Sequence, residues 1–469
     1  MKMILLVPDG VGIRNYIFSS FIRNFIIDGN EVLVYHRISK SAIEEIQMNK
    51  SDIRDFKEIP DFKEKFIARL LRESIAYARI LINIKKLNNI TILKFWSPSK
   101  NGFKKNILYF LAEILGFLLS KSYSLILKAD TLYEKQIVKN KTTKLIKKTL
   151  LDYQPDIILN LHQRAPSTVP IISSAIELNI KVTTVIYSWD NIPKARLISR
   201  YDSYFVWSKL MKKELDLLYP EIRSSQIHIV GTPQFEFYFD EKHYLNKDFF
   251  YDQFGLDIHK KTICFSGNDQ ASPYEAYYLN DICEALCEID QIDRPQIIFR
   301  RCPVDKTNRF NQVLNKYNHL IVSIDPDWGG VLGSDGCFSE NYPRFNDLSL
   351  LINTIKHSDI VINLGSTMAH DAAILDKPCL YLNYDPVLNS VFKVEDIYNF
   401  QHFKSMENLK AVGWINSKDE ILKKIVSALI NPSQVGKDRK KWLEKIVLHP
   451  IENSSHILNK KILKCISVS

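Results

Sequence analysis

One stretch carries residue types spaced for binding an anion. It is Ser358–Asp385, SDIVINLGSTMAHDAAILDKPCLYLNYD. Asp359–Asn363 is a short apolar run rich in β-branched residues and reads as a buried strand. Leu364-Gly365-Ser366-Thr367 reads as a tight polar turn. Thr367–Leu375 reads as a short helix ended by Lys377-Pro378, and Cys379–Leu382 as the next strand. Strand, turn and helix in that order leave backbone N–H groups at the strand's carboxyl end, where the positive helix end favours an anion. Ser366 and Thr367 add hydroxyl donors. Asp371, one helical turn past Thr367, is spaced to accept from a ribose hydroxyl. The same residues also fit a capped helix in an ordinary parallel-sheet domain.

Further chemistry-bearing side chains sit where strands should end. Met3–Val7 reads as a strand, followed by the loop PDGVGIRN, a helix over Phe18–Ile27 and a strand over Glu31–Tyr35. Gly10 and Gly12 make a tight loop. The third glycine and the acidic residue of a dinucleotide fingerprint are missing. Arg14 is placed to reach a phosphate or carboxylate, or to form a surface ion pair. Asp156–Leu161 opens onto His162-Gln163-Arg164, and Lys181–Tyr187 onto Ser188-Trp189-Asp190-Asn191. Strands follow at Asp202–Trp207 and Ile227–Val230. In the second half, Thr262–Phe265 opens onto Ser266-Gly267-Asn268 and Gln296–Arg300 onto Arg301. Leu320–Ile324 leads to the glycine-rich loop Asp327–Asp335. Two βα domains in tandem, each with such loops at the strand ends, imply a cleft between them.

A chain of 469 residues is too long for one hydrophobic core. Its formal charge of +10 is concentrated: between Asp61 and Leu150 there are 19 Lys or Arg against 6 Asp or Glu, a surplus of 13. That segment reads as helices over Lys63–Lys86, Phe103–Lys121 and Leu125–Lys148, with a strand at Asn89–Phe95, inserted into the first domain. The surplus points to an anionic partner, with the anionic membrane surface as the candidate. No nucleic acid is expected, because interleaved aromatics and a reader fold are absent. Seven scattered cysteines lack zinc spacing and suit a reducing compartment. MKMILLVPDG reads as a strand rather than a signal peptide, and no run of 18 apolar residues occurs. The expected location is the cytoplasm, peripheral on the inner face of the cytoplasmic membrane. Asp325 and Asp327 read as loop residues, so no metal and no cofactor is expected.

Three stretches carry a resemblance. SWDN at 188–191 is followed by YFVW at 204–207 and IVGTPQF at 229–235. Asp347–Pro378 holds DLSLL, SDIVIN, GSTMAHDA and DKP. Together with PDGVGIRN, these resemble the GT-B glycosyltransferase superfamily, near the bacterial surface-carbohydrate proteins and the CDP-glycerol glycerophosphotransferases, over about 1–50 and 155–385. Asp371 stands where that element often has Glu, and Arg300-Arg301-Cys302-Pro303 lacks the histidine of the glycerophosphotransferases.

The resemblance implies an α/β fold of two Rossmann-like domains facing a central cleft. The expected boundaries are 1–235, with the basic helical insertion at about 61–150, a crossing at 236–260, a nucleotide-sugar domain at 261–435 and a helical tail at 436–469 packing back. It implies a glycosyltransferase moving a sugar from a nucleotide-sugar donor to a surface-polysaccharide or lipid-linked glycan acceptor. The alternatives are a CDP-glycerol-type polyol-phosphate transferase and a sugar-nucleotide epimerase of similar fold. Ser266, Gly267, Arg301, Gly365, Ser366, Thr367 and Asp371 would bind the donor, and Arg300 would neutralise the departing nucleotide. Asp9, His162 and Asp190 are the candidate catalytic bases. Gly10, Gly12, Arg14, Trp189 and Asn191 would meet the acceptor.

Overall fold

The computed structural model describes residues 1–469 except 54, 99–101, 270, 271, 331–340, 388, 468 and 469. The expected glycine-rich loop lies outside the described residues from position 331 onward. The chain divides into two compact units. The first comprises Met1–Gln234, Phe400–His402 and Ile446–Ser469, and the second Phe235–Asn399 and Phe403–Lys445.

The first unit is built on strands β1 (Lys2–Val7), β2 (Glu31–His36), β3 (Asp55–Glu58), β4 (Ile157–Asn160), β5 (Lys181–Val185), β6 (Ser203–Val206) and β7 (Ile227–Ile229). They pair in the order β3-β2-β1-β4-β5-β6-β7, all parallel. Met3–Val7 and Ile157–Asn160 are wholly buried, as a parallel sheet covered on both faces requires. The chain runs outward from β1 to β3 and then restarts at β4 on the other side of β1. The register pairs Leu6 with Asn160, so the loops after β1 and β4 leave adjacent strands at one level. In the C-terminal segment, Asn459 donates to the Phe21 carbonyl at 2.9 Å and the Leu448 N–H to the Trp207 carbonyl at 2.8 Å.

Helices of this unit begin with α1 (Ser20–Ile27) and α2 (Lys40–Asn49). The helix expected from Phe18 starts at Ser20, where the Ser19 hydroxyl accepts from the Phe21 N–H; a separate π-turn, Ile13–Ile17, precedes it. Between β3 and β4 come α3 (Phe66–Leu87), α4 (Phe103–Leu119), α5 (Tyr123–Val138) and α6 (Lys141–Tyr153). The long helix expected over Leu125–Lys148 is thus two. They part where the Asn140 side chain accepts from the Thr142 N–H at 2.9 Å, a capping bond that competes with helix continuation. The strand expected at Asn89–Phe95 is a 3-10 helix, Ile90–Phe95, started by Asn89 accepting from the Thr91 N–H. Ala68, Ile75 and Ala78 of α3 pack on Ile126, Ala129 and Tyr133 of α5. Arg79, 2% exposed, lies 2.7 Å from Asp130 and 3.0 Å from Glu221, and Arg200 shares both carboxylates. These arginines therefore hold the helices together from inside.

The second unit carries β8 (Thr262–Ser266), β9 (Gln296–Arg300), β10 (Ile321–Ser323), the short pair β11 (Trp328–Gly329) and β12 (Tyr342–Pro343), β13 (Ile360–Asn363), β14 (Cys379–Leu382) and β15 (Gly413–Ile415). The six-stranded parallel sheet runs β10-β9-β8-β13-β14-β15. Here the order reverses beside β8. The register sets Arg300, Ser266 and Asn363 in one row across β9, β8 and β13. The helix Lys247–Phe254 packs Phe250 and Tyr251 against Ile298 and Ile324 of this unit. No helix among the described residues is long and apolar enough to cross a membrane. The six described cysteines are free thiols.

Candidate functional site

Each sheet has one place where its strand order reverses, and crevices for ligands open at the carboxyl ends of strands there. In the second unit that place is the row Arg300–Ser266–Asn363. Past it, the Asn363 side chain accepts from the Ser366 N–H at 2.9 Å and folds the turn back over the strand. Gly365 has φ +65°, and a Cβ there would stand 2.9 Å from Ile397 and 3.1 Å from Phe403, so only glycine fits. The Ser366 carbonyl is held by the Tyr381 hydroxyl at 3.1 Å. Thr367 is exposed at the start of the helix Met368–Ile374, and its hydroxyl makes no capping bond.

The loop after β8 is tied to this turn. Asn268 donates its amide to the Leu364 carbonyl at 3.2 Å, and the Gly267 N–H donates to the Arg300 carbonyl at 2.9 Å. Beneath it lies Glu275, fully buried, which accepts from the Asn268 N–H at 2.8 Å and from Arg309 at 3.0 Å. Burial pushes the Glu275 carboxyl up to about 8, against the pull of the Asn268 N–H and Arg309. Ser266 itself is buried within the sheet row.

The two arginines are held inside the unit. Arg300, 4% exposed, lies 2.6 Å from Asp347, whose carboxylate also accepts from the Trp328 indole and the Asp327 N–H, both at 2.9 Å. One guanidinium nitrogen of Arg300, Nη1, is buried with no hydrogen-bond partner among the described residues. Arg301 donates to the Thr307 carbonyl at 2.8 Å and lies over the rings of Phe299 and Phe310. Asp371 is buried, and its Oδ1 accepts from the Tyr238 hydroxyl at 2.9 Å. Gly365, Ser366, Thr367, Gly267 and Arg300 thus come together at the reversal, while Asp371 is engaged by Tyr238.

In the first unit the reversal lies between β1 and β4, and it brings Asp9 and His162 into contact. The Asp9 carboxylate meets the His162 Nδ1, and its other oxygen accepts from the Val11 N–H at 3.1 Å. The ring is steadied by the edge of Tyr187, 4.5 Å away. Nε2 on its far side is buried and has no hydrogen-bond partner among the described residues. A carboxylate on one ring nitrogen fixes the tautomer and leaves the other nitrogen to take up a proton. Gly10 and Gly12 shape the loop; a Cβ on Gly12 would stand 2.7 Å from Leu161. Arg14 donates to the neighbouring Asn15 side chain at 3.3 Å.

Asp190, Asn191 and Trp189 form a second cluster of the first unit. Burial alone would raise the Asp190 carboxyl, but Lys194 at 2.5 Å, with His402, holds it well below the usual carboxylate range. It also accepts from Ser188 at 2.7 Å and Asn191 at 3.0 Å. Asp190 is a fixed anion and a weak base. Trp189 is buried edge-on to His402 at 4.7 Å, and burial pushes the His402 imidazole down to about 4. Glu214 was not singled out by motif. Burial and the Asp190 charge push its carboxyl up to about 8. Its signal was legible in the helix Lys209–Leu218, where Met211, Leu215 and Leu218 make the buried stripe and Glu214 falls within it. Among the described residues, no group of three or more His, Cys, Asp or Glu is arranged to hold a metal ion.

No protein-family model matches the chain, and no curated protein does. Solved structures do match over its whole length. A UDP-GlcNAc 2-epimerase from Neisseria meningitidis matches with TM-score 0.52 and 12% identity over 99% of this chain and 100% of that one. The enzyme from Methanocaldococcus jannaschii matches with TM-score 0.54 and 14% identity over 100% of each chain. A protein from Listeria monocytogenes, described as a putative UDP-N-acetylglucosamine 2-epimerase, matches with TM-score 0.57 and 11% identity over 100% of this chain and 97% of that one. These matches correct the resemblance drawn from motifs. Their named reaction is an isomerisation, so the glycosyltransferase and CDP-glycerol readings are overturned. The motifs misled because polar turns at strand ends belong to the fold and not to one reaction. The chain has a two-domain α/β architecture of the GT-B-like kind, the fold also seen in the UDP-GlcNAc 2-epimerases.

Proposed function

We propose that this protein is a nucleotide-sugar epimerase acting on a UDP-linked N-acetylhexosamine at the carbon next to the anomeric centre. The observation that carries the reading is the Asp9–His162 pair at the strand-order reversal of the first unit, with Nε2 of His162 unpartnered among the described residues. Inverting that carbon breaks its C–H bond and makes it again from the other face. This requires a group that takes up the proton and a route for the electron pair it leaves. His162 takes the proton as the neighbouring C–O bond to the diphosphate breaks and a carbon–carbon double bond forms. The diphosphate then re-adds as a proton returns to the other face, so the bonds are restored with the carbon inverted.

The second unit has the nucleotide role. The diphosphate is assigned to the turn Gly365-Ser366-Thr367, where the Thr367 side chain is exposed and makes no capping bond, while the Ser366 N–H is engaged by Asn363. Support for a UDP-sugar comes from what the solved structures of like fold are described as binding: the Neisseria meningitidis enzyme is described as bound to UDP-GlcNAc. An epimerase acts on one bound substrate and requires no separate glycan acceptor. Asp190, a fixed anion, orients Asn191 and Lys194 instead of acting as the base. Calorimetry with UDP, CDP and GDP tests the reading. Selective binding of UDP supports it, and a folded sample that binds no UDP overturns it.

A further inference from the structure

Helix α4 is built inside out. Its inner side, with Leu108, Tyr109, Ala112 and Gly116, is buried, and a Cβ on Gly116 would stand 2.7 Å from the Ser74 carbonyl of α3. Its bulky side faces outward: Phe103, Ile107, Phe110, Ile114, Phe117 and Leu118 are 40–79% exposed. At 3.6 residues per turn these six side chains fall within an arc of about 100°. They expose roughly 600 Å², at the top of the range for the largest apolar patch on a typical monomer. The sequence FKKNILYFLAEILGFLL therefore sets its two smallest residues, Ala112 and Gly116, in the packed side and leaves six large apolar ones on a surface.

The charges around this face have one sign. Lys104 and Lys105 lie in the first turn of the helix, Lys121 and Lys128 follow it, and all four are exposed. The Lys121 ammonium lies 4.1 Å from the centroid of the Phe117 ring, so the cation and the apolar face are one surface. Glu113, the one carboxylate of α4, lies off the stripe and accepts from the Trp96 indole at 3.0 Å. Acidic residues of the neighbouring helices are taken up inside the unit: Glu73 by Arg72 and Arg196, Asp130 by Arg79 and Arg200. Glu134 of α5 is the exception and is exposed; the outward groups of α4 itself are apolar and basic.

We propose that α4 lies in the plane of an anionic lipid surface, with its phenylalanines at the boundary of headgroups and acyl chains and the flanking lysines on lipid phosphates. Seventeen residues span about 25 Å, short of the roughly 30 Å hydrocarbon core, and one side of the helix is packed on α3, so it lies on the bilayer without crossing it. A second copy of the chain is the poorer occupant, because a self-complementary contact would press two identical sets of lysines together. The inference stands apart from the epimerase reading.

Flotation of the full chain with vesicles tests it, using phosphatidylcholine alone and phosphatidylcholine rich in phosphatidylglycerol, at low and high salt. We expect flotation with the anionic vesicles at low salt, reduced at least about tenfold in Phe110→Ser/Phe117→Ser and in Lys104→Gln/Lys105→Gln/Lys121→Gln. UDP calorimetry and thermal melts should be unchanged, since both variants leave the buried side of α4 intact. If the serine variant fails to fold, the lysine variant, which touches no packed side chain, decides. The proposal is overturned if the wild type stays unbound, or if folded variants float as well as the wild type. It is equally overturned if light scattering shows a dimer that Phe110→Ser/Phe117→Ser dissolves while vesicles are ignored.

Discussion

Replacing Glu214 by Gln should change how stability depends on pH, with a sign fixed by the structure. The Glu214 carboxyl ionises at about 8 in the folded chain, against an ordinary 4.5, because it is buried and faces the Asp190 charge. Lys194 keeps Asp190 ionised, and that charge adds to burial in holding the proton on Glu214. A raised carboxyl favours the protonated folded state. Below about 4.5 both states hold the proton and there is no penalty. As pH rises from about 4.5 to about 8, the unfolded chain releases the proton and the folded chain retains it, so stability is lost over that window. At 1.36 kcal/mol per unit the loss is about 2 kcal/mol at pH 6 and approaches about 5 kcal/mol above pH 8. Gln has the same shape and no charge to suppress. Glu214→Gln should therefore melt close to the wild type at pH 4.5 and well above it at pH 9, by roughly 10 °C for a unit of this size. Paired thermal melts followed by circular dichroism between pH 4.5 and 9, at constant ionic strength, give the difference directly. Contributions of other groups cancel between the two proteins. A gap that does not widen with pH would refute the buried, proton-bearing Glu214.

Two further perturbations probe the same framework. Gly365→Ala places a Cβ at φ +65° and 2.9 Å from Ile397, which costs about 1–2 kcal/mol in backbone strain before the clash; UDP affinity measured by calorimetry should fall at least about tenfold. Arg79→Ala strands Asp130 and Glu221 beside one another with Arg200 as their remaining cation; urea unfolding should show a loss of about 3–5 kcal/mol from the first unit.

The sheets were legible because parallel strands buried on both faces read as short apolar runs, and Ile360–Asn363 and Ile157–Asn160 lie within the strands expected from sequence. Helix boundaries were less so. Asn140 lies within a continuous-looking pattern, and only its side chain's bond to a backbone N–H reveals the break; at Asn89 the boundary was read, but the bond to the Thr91 N–H starts a 3-10 helix where a strand was expected. Among site residues, Asp9 and His162 were found one by one, each at a strand end, and their pairing across 153 positions comes from the β1–β4 register. Asp371, expected at a ribose, is buried and accepts from Tyr238, a neighbour 133 positions away that no local pattern indicates. The basic surplus of 61–150 was visible as a count, but its geometry was not. The arginines turn inward to Glu73 and Asp130, and the face that looks outward belongs to the most apolar helix of the set. The reaction was the least legible part, because a hydroxyl-bearing turn after a strand serves many chemistries on this architecture.

The measurement that bears most directly on the proposed chemistry is proton NMR of UDP-GlcNAc incubated with the protein in deuterium oxide. An epimerase that works through a proton on His162 should replace hydrogen by deuterium at the sugar C2 and generate the C2 epimer. His162→Gln should slow both by at least about a hundredfold while still binding UDP. Retention of hydrogen at C2 with no second sugar nucleotide, in a wild-type sample shown to bind UDP, would contradict the assignment.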